Sequence, residues 1–262
     1  MSLAQVNKYI KLTWYIKKLT LLSAIEYRIS FTIQILGTFC VDFAFLILWI
    51  IFFTQFPQLG TWNFEDTALL LAIGWFSYAL NALLAGGIFK LSHIISNGEI
   101  DYYLVLPHNI LWNISVSKTE LSSLGNLMAM LAMFLLSGPL SIHKVLLFII
   151  ISLLSAGIFF NFMVITQSIT FYVGNFELIA QQLMLALISF IYYPQVIFSG
   201  VLKLITMTII PAYFVGFLPV RLIKNFNTAP FLLLVSFWLI TLIFALIIFF
   251  QGIKRYESGS LM

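Results

Sequence analysis

Residues 29–53 read ISFTIQILGTFCVDFAFLILWIIFF, 25 residues interrupted by one carboxylate, Asp42. A helix of about 20 residues crosses a hydrocarbon core of roughly 30 Å. The run is continuous and not alternating, which selects a helix over a barrel strand, the two backbones that satisfy their own polar groups in lipid. Five runs of the same kind follow, Thr67–Phe89, Leu121–Ile142, Val145–Val173, Leu178–Val201 and Pro230–Gly252. Composition agrees: 62% of residues are hydrophobic, 8% are charged and 27 are Phe, where a soluble protein carries roughly 25% charge. The expected fold class is an all-α polytopic membrane protein with six transmembrane helices in one domain over residues 1–262.

The net charge of +4 is read against the membrane before any nucleic acid. With the N-terminus in the cytoplasm, Lys8, Lys11, Lys17, Lys18, Arg28, Lys90, Lys118, Lys254 and Arg255 lie inside, and Lys144, Lys203, Arg221 and Lys224 lie outside. That excess inside places both termini in the cytoplasm and leaves no nucleic-acid footprint. Cys40 is the lone cysteine, so no intrachain disulfide forms. The first 28 residues lack the short apolar core and small-residue cleavage site of a signal peptide. Instead Leu3, Val6, Ile10, Trp14 and Leu21 fall on one helical stripe opposite Lys8, Lys11 and Lys18, the pattern of an interfacial helix over 1–28; a frayed basic tail is the alternative.

Between the second and third runs, residues 90–120 form the largest polar insertion, with His93, Glu99, Asp101, His108 and Lys118 on the cytoplasmic side. Ser137–Lys144 contains a Gly-Pro turn that forces an antiparallel hairpin. Residues 201–228 are apolar enough for a seventh span but carry Pro211 and Pro219. Two short helices that dip into the outer leaflet and return are expected there, because proline interrupts the helix hydrogen-bond ladder.

No metal-ligand cluster, nucleophile elbow or paired-acid arrangement is present, and His93, His108 and His143 lack ligand spacing. No phosphate-binding Gly-x-x-x-x-Gly-Lys-Ser/Thr loop exists, so the chain binds no cofactor itself and any ATP must be held by another polypeptide. Asp42 sits mid-span, where a carboxylate costs at least about 2.5–3.5 kcal/mol. It either faces a cavity or interface, touching substrate or carrying a proton, or it locks helices together through a hydrogen bond. Gln34, Asn81, Asn161, Gln167, Gln181 and Gln182 are further polar residues within the runs, expected mainly as interhelical hydrogen bonds.

Several segments together resemble a known family. Ile95–Pro107, ISNGEIDYYLVLP, is similar to the Gly-Glu-Leu-Asp…Leu-Leu-Arg-Pro cytoplasmic loop of permease subunits of ATP-binding cassette type 2 exporters. It departs at Leu106, where the family often has Arg. Tyr193-Pro194, Ile209–Ala212 and Leu218-Pro219 resemble the family's segment after the fifth span, Gly252–Ser258 its Gly-x-x-x-Tyr-Glu-Ser tail, and Glu26–Arg28 its lead into the first span. The resemblance implies two permease subunits, identical or related, above two cytoplasmic ATP-binding cassette ATPase subunits that bind ATP and Mg, in a prokaryotic cell membrane. It implies an ATPase-coupling helix over Gly98, Glu99, Ile100, Asp101, Tyr102, Tyr103 and Pro107, with the two acids facing basic partner residues and Ile100, Tyr102 and Tyr103 as apolar anchors. It also implies a substrate path lined by the first, second and fifth spans, which brings in Asp42, Asn81, Tyr192, Tyr193 and Pro194. The competing readings are a stand-alone proton-coupled transporter with Asp42 as coupling acid, and a membrane anchor that holds a soluble partner through residues 90–120.

Overall fold

The computed structural model describes residues 3–107 and 109–256. The readings given for His108, for Glu257 and Ser258, and for the side chains of Leu3, Val6 and Ile10 lie outside the described residues. The helices, in chain order, are α1 Leu3–Glu26, α2 Arg28–Gln55, α3 Phe64–Ala85, α4 Leu91–Ser96, α5 Ile100–Leu104, α6 Ile110–Val116, α7 Leu124–Leu136, α8 Ile142–Ser168, α9 Thr170–Val173, α10 Glu177–Ile191, α11 Gly200–Met207, α12 Leu218–Lys224 and α13 Thr228–Arg255. Among the described residues every regular element is helical, apart from an isolated bridge between Leu59 and Trp62.

Four helices are long and apolar enough to cross a membrane: Arg28–Gln55, Phe64–Ser96, Ile142–Val173 and Thr228–Arg255. A fifth crossing exists if α6 and Leu121–Leu136, bent by 67° against each other, count as one span. The third and fifth runs are shorter as helices than their hydropathy suggests. α7 stops at Leu136, before Ser137, Gly138 and Pro139, and α8 starts at Ile142 because Ser141 Oγ accepts from the Lys144 backbone N–H as an N-cap. α10 has 15 residues and ends ahead of Pro194, which restricts Tyr193 to non-helical backbone and supplies no N–H of its own.

α3 is the central helix and is buried along most of its length, with Leu69, Leu70, Ile73 and Trp75 in the core. It packs on α7 and α8; α13 packs on the far side of α8, and α2 on α7. α2 and α13 bury few of their apolar side chains, the mark of surfaces meant for lipid or for another apolar surface. The start of α3 is fixed by a capping box, in which Asn63 Oδ1 accepts from the Asp66 N–H at 3.0 Å and Asp66 Oδ2 accepts from the Asn63 N–H at 3.2 Å.

α3 does not stop at the end of its run. It passes through a 3-10 turn, Gly86–Lys90, into α4, so the inner end of the central helix becomes the start of the 90–120 insertion. That insertion is three short helices, α4 to α6, and not an open loop. Residues 201–228 are broken as expected, but at one proline and not two. Pro211 lies in the break between α11 and a π-helical turn, Tyr213–Phe217. Pro219 is the second residue of α12, and the π turn runs straight into that helix, so the chain stays helical through this proline.

Candidate functional site

The end of the molecule that carries α4 and α5 is built from the continuation of α3. Gly87, in the connecting 3-10 turn, lies against the Ile114 carbonyl of α6 so closely that a Cβ would overlap it, and the two backbones touch only because the side chain is missing. α4 is then tied to three neighbours, α8, α9 and α10. The Ser92 backbone N–H donates to Gln167 Oε1 of α8 at 2.9 Å, and the Ser92 and Thr170 hydroxyls share a hydrogen bond at 2.5 Å. His93 Nδ1 lies 3.2 Å from Glu177 Oε2 at the start of α10, and its Nε2 lies 3.9 Å from Glu99.

Gly98 turns the chain from α4 into α5 with φ 73°, backbone that disfavours any side chain. The Tyr256 hydroxyl stands 3.6 Å from where a Cβ on Gly98 would be. Two motifs more than 150 residues apart in the chain, the Gly98-Glu99 turn and the tail, therefore meet. In α5, Ile100 is 0% exposed, which corrects its expected role as a partner anchor: it fastens α5 to the bundle. Tyr102 is 64% exposed and Val105 80% exposed, with Leu104 also out. Tyr103, half-buried, holds the Tyr102 ring edge-on at 5.2 Å. Glu99 is exposed, Asp101 is half-buried and Pro107 is exposed at the exit. The product is a small apolar and aromatic knob with acidic flanks.

The helix ahead of α2 bears on the same end. Lys17 Nζ of α1 donates to Thr119 Oγ1 at 2.7 Å and to the Lys118 carbonyl at 3.3 Å. Burial there pushes its amine down to about 8. Trp14 and Tyr15 remain exposed, as suits the headgroup level. Glu120, beside this contact, accepts from the Tyr78 hydroxyl of α3 at 3.2 Å.

A second cluster lies inside the bundle where α2, α3, α7 and the end of α10 meet. Asp42 is 3% exposed, and its Oδ2 accepts from Asn126 Nδ2 of α7 at 2.5 Å. One and two turns further along α2, Phe45 packs on Tyr192 at 4.8 Å between ring centroids and Trp49 on Tyr193 at 6.0 Å. Trp75 of α3 meets Tyr192 edge-on at 6.3 Å, and Pro194 is buried at the bend. Of the expected path residues, Tyr192 and Tyr193 thus come together with aromatic residues of α2 and α3. Asn81 is placed in another seam, its Nδ2 bound to the Ala156 carbonyl of α8 at 2.9 Å. Asn161 and Gln167 also bond between helices, while Gln34 and Gln181 bond within their own. Sequence reasoning missed Asn126, Trp49 and Trp75; Asn126 was visible as an amide within an apolar run.

A family model for ABC-2 family transporter proteins matches residues 39–260. No curated protein and no solved structure matches the chain. The match spans the internal cluster, the α4–α5 turn and the tail that meets it, and with helices able to cross a membrane it settles the class: this chain is a multi-pass transport protein that belongs to the ABC-2 transporter family.

Proposed function

We propose that the chain is the permease subunit of an ATP-driven exporter, coupled through α5 to separate ATPase subunits that carry ATP and Mg. The observation that supports this reading best is the exposed Tyr102 on a short helix whose root, Ile100, is buried, with exposed Val105 capping its end. A knob of that kind fits a groove on a soluble partner, and its Glu99 and Asp101 flanks favour basic residues there. Because α4 continues α3 and is bonded to Gln167 of α8 and Glu177 of α10, displacement of α5 is passed to three bundle helices at once.

In this reading six spans cross, with both termini cytoplasmic. α7 with its bent lead is the third span and α10 the fifth. At 1.5 Å per residue α10 is only about 22 Å long, and α11 and α12 fill the rest of the outer leaflet as re-entrant helices. Two copies, or this chain and a related one, pair through the exposed apolar face of α2, and substrate passes along that seam past Tyr192 and Tyr193. Asp42 acts from the inner side of α2 by fixing its register on α7, and Asn81 does the same between α3 and α8. An aromatic wall without a charged lining suits an amphiphile better than a small ion. ATP binding favours one arrangement of the bundle because the ATPase grips the knob differently in its open and closed forms.

The test is purification from the host in mild detergent of the native chain and of a Glu99→Ala, Asp101→Ala variant. Recovery of a cytoplasmic ATPase with the native chain, reduced in the variant, is the expected result. A native chain that brings down no ATPase sinks the proposal.

A further inference from the structure

At the end of α3 away from the coupling turn, a cavity of about 540 Å³ opens between the residues that precede α3 and the α11–α12 segment. Its lining holds Lys203 of α11, Arg221 and Lys224 of α12, and one acid, Asp66. Lys224 is ion-paired with Asp66, which pins α12 to the capped start of α3 and leaves that pair neutral. Among the described residues neither Lys203 nor Arg221 is in an ion pair. Trp62 and Tyr213 form aromatic walls. Trp62 is held edge-on against Phe217 at 6.2 Å, so that wall is a fixed surface. The lining therefore combines unpaired cations with aromatic surface.

The charge is unexpected in its place. On the topology proposed above this is the outer end, where Lys and Arg are scarce, yet three of the four basic residues assigned there line one cavity. Topology does not account for that concentration, and two cations without an acidic partner lining one cavity suit an anion: a guanidinium offers a two-toothed grip on a phosphate or carboxylate and an ammonium adds a point charge.

We infer that this cavity binds the anionic group of an amphiphile, a phosphate or carboxylate on an apolar body, with Arg221 and Lys203 on the anion and Trp62 and Tyr213 along the chain. The same chemistry is presented by an acidic lipid of the outer leaflet and by an acidic exported solute.

The probe is dodecyl phosphate, added to the full-length chain in phosphatidylcholine nanodiscs without nucleotide and counted as bound adducts by native mass spectrometry. Because no ATP or partner is present, the outcome is independent of the exporter reading. The site predicts saturable binding that falls about tenfold or more in Lys203→Gln, Arg221→Gln, the usual worth of a lost charge-assisted hydrogen bond. Arg221→Lys restores part of it, and Lys254→Gln at the other end leaves it unchanged. Displacement by phosphatidylglycerol assigns the site to a lipid headgroup; displacement by inorganic phosphate, with phosphatidylglycerol inert, assigns it to a free acidic solute. Equal binding by the native chain and a double variant of unchanged melting temperature, or an equal loss in Lys254→Gln, overturns the inference.

Discussion

Asn126 of α7 donates to the Asp42 carboxyl of α2 at 2.5 Å, and both residues are buried. The pair joins a helix that leaves most of its surface exposed to one packed on the central α3. Asn126→Leu removes the donor and strands a buried polar group, a loss of about 1–3 kcal/mol. Asp42→Asn keeps a hydrogen-bonding partner in place. Melting in detergent should therefore fall clearly for Asn126→Leu and change little for Asp42→Asn. The reverse order would show that Asp42 is held by something other than Asn126.

The junction between α3 and α4 makes a sharper demand. At Gly87 a methyl group meets the Ile114 carbonyl, which is backbone and cannot rotate away. Gly87→Ala should destabilise by about 1–3 kcal/mol, the range for overpacking, and should uncouple ATP hydrolysis from transport before it abolishes expression. Gly37 of α2 has nothing within 4 Å of an added Cβ. Gly37→Ala should leave folding intact or gain up to about 1 kcal/mol of helix propensity. Equal melting temperatures for the two variants would remove the argument from close approach.

Lys17 gives a pH dependence. Undocked, its amine titrates near its ordinary 10.5; docked against Thr119, burial brings it to about 8. Below pH 8 both states are protonated and the full burial penalty opposes docking. Between about 8 and 10.5 the docked state binds fewer protons, so docking strengthens as pH rises. The mobility of a spin label at Leu19→Cys, in a Cys40→Ser background, should fall across that window and stay flat in Lys17→Met. A label that loosens with rising pH would contradict the sign.

The sequence exposed lengths and breaks better than it exposed neighbours. Ser137–Lys144 read as a tight turn because Gly138 and Pro139 are local signals, and the broken helices over 201–228 followed from Pro211 in the same way. Pro219 misled because the helix runs through it from the π turn Tyr213–Phe217, a local change of hydrogen-bond ladder that no residue pattern announces. Hydropathy overran α10 by ten residues, since apolar side chains continue past the point where Tyr192–Pro194 leave the helix. Ile100 looked like an anchor for a partner, yet in so short a helix one apolar residue must hold the helix down, and alternation alone does not say which. Asn126 has no motif; only packing reveals that it faces Asp42.

The exposed knob carries the account. Tyr102→Ala with Val105→Ser removes its apolar tip without touching buried Ile100, so the chain should fold with an unchanged melting temperature while ATPase recovery falls at least tenfold, about 1.4 kcal/mol or more.

The most direct measurement is photo-crosslinking in the host membrane from benzoylphenylalanine placed at Tyr102, with Leu131, an exposed apolar residue of α7, as the control position. A crosslink from position 102 to a cytoplasmic ATPase, absent from position 131, is the predicted result. A label at 102 that reacts with lipid alone, in cells where the chain is active in transport, would contradict the claim that α5 is the coupling element.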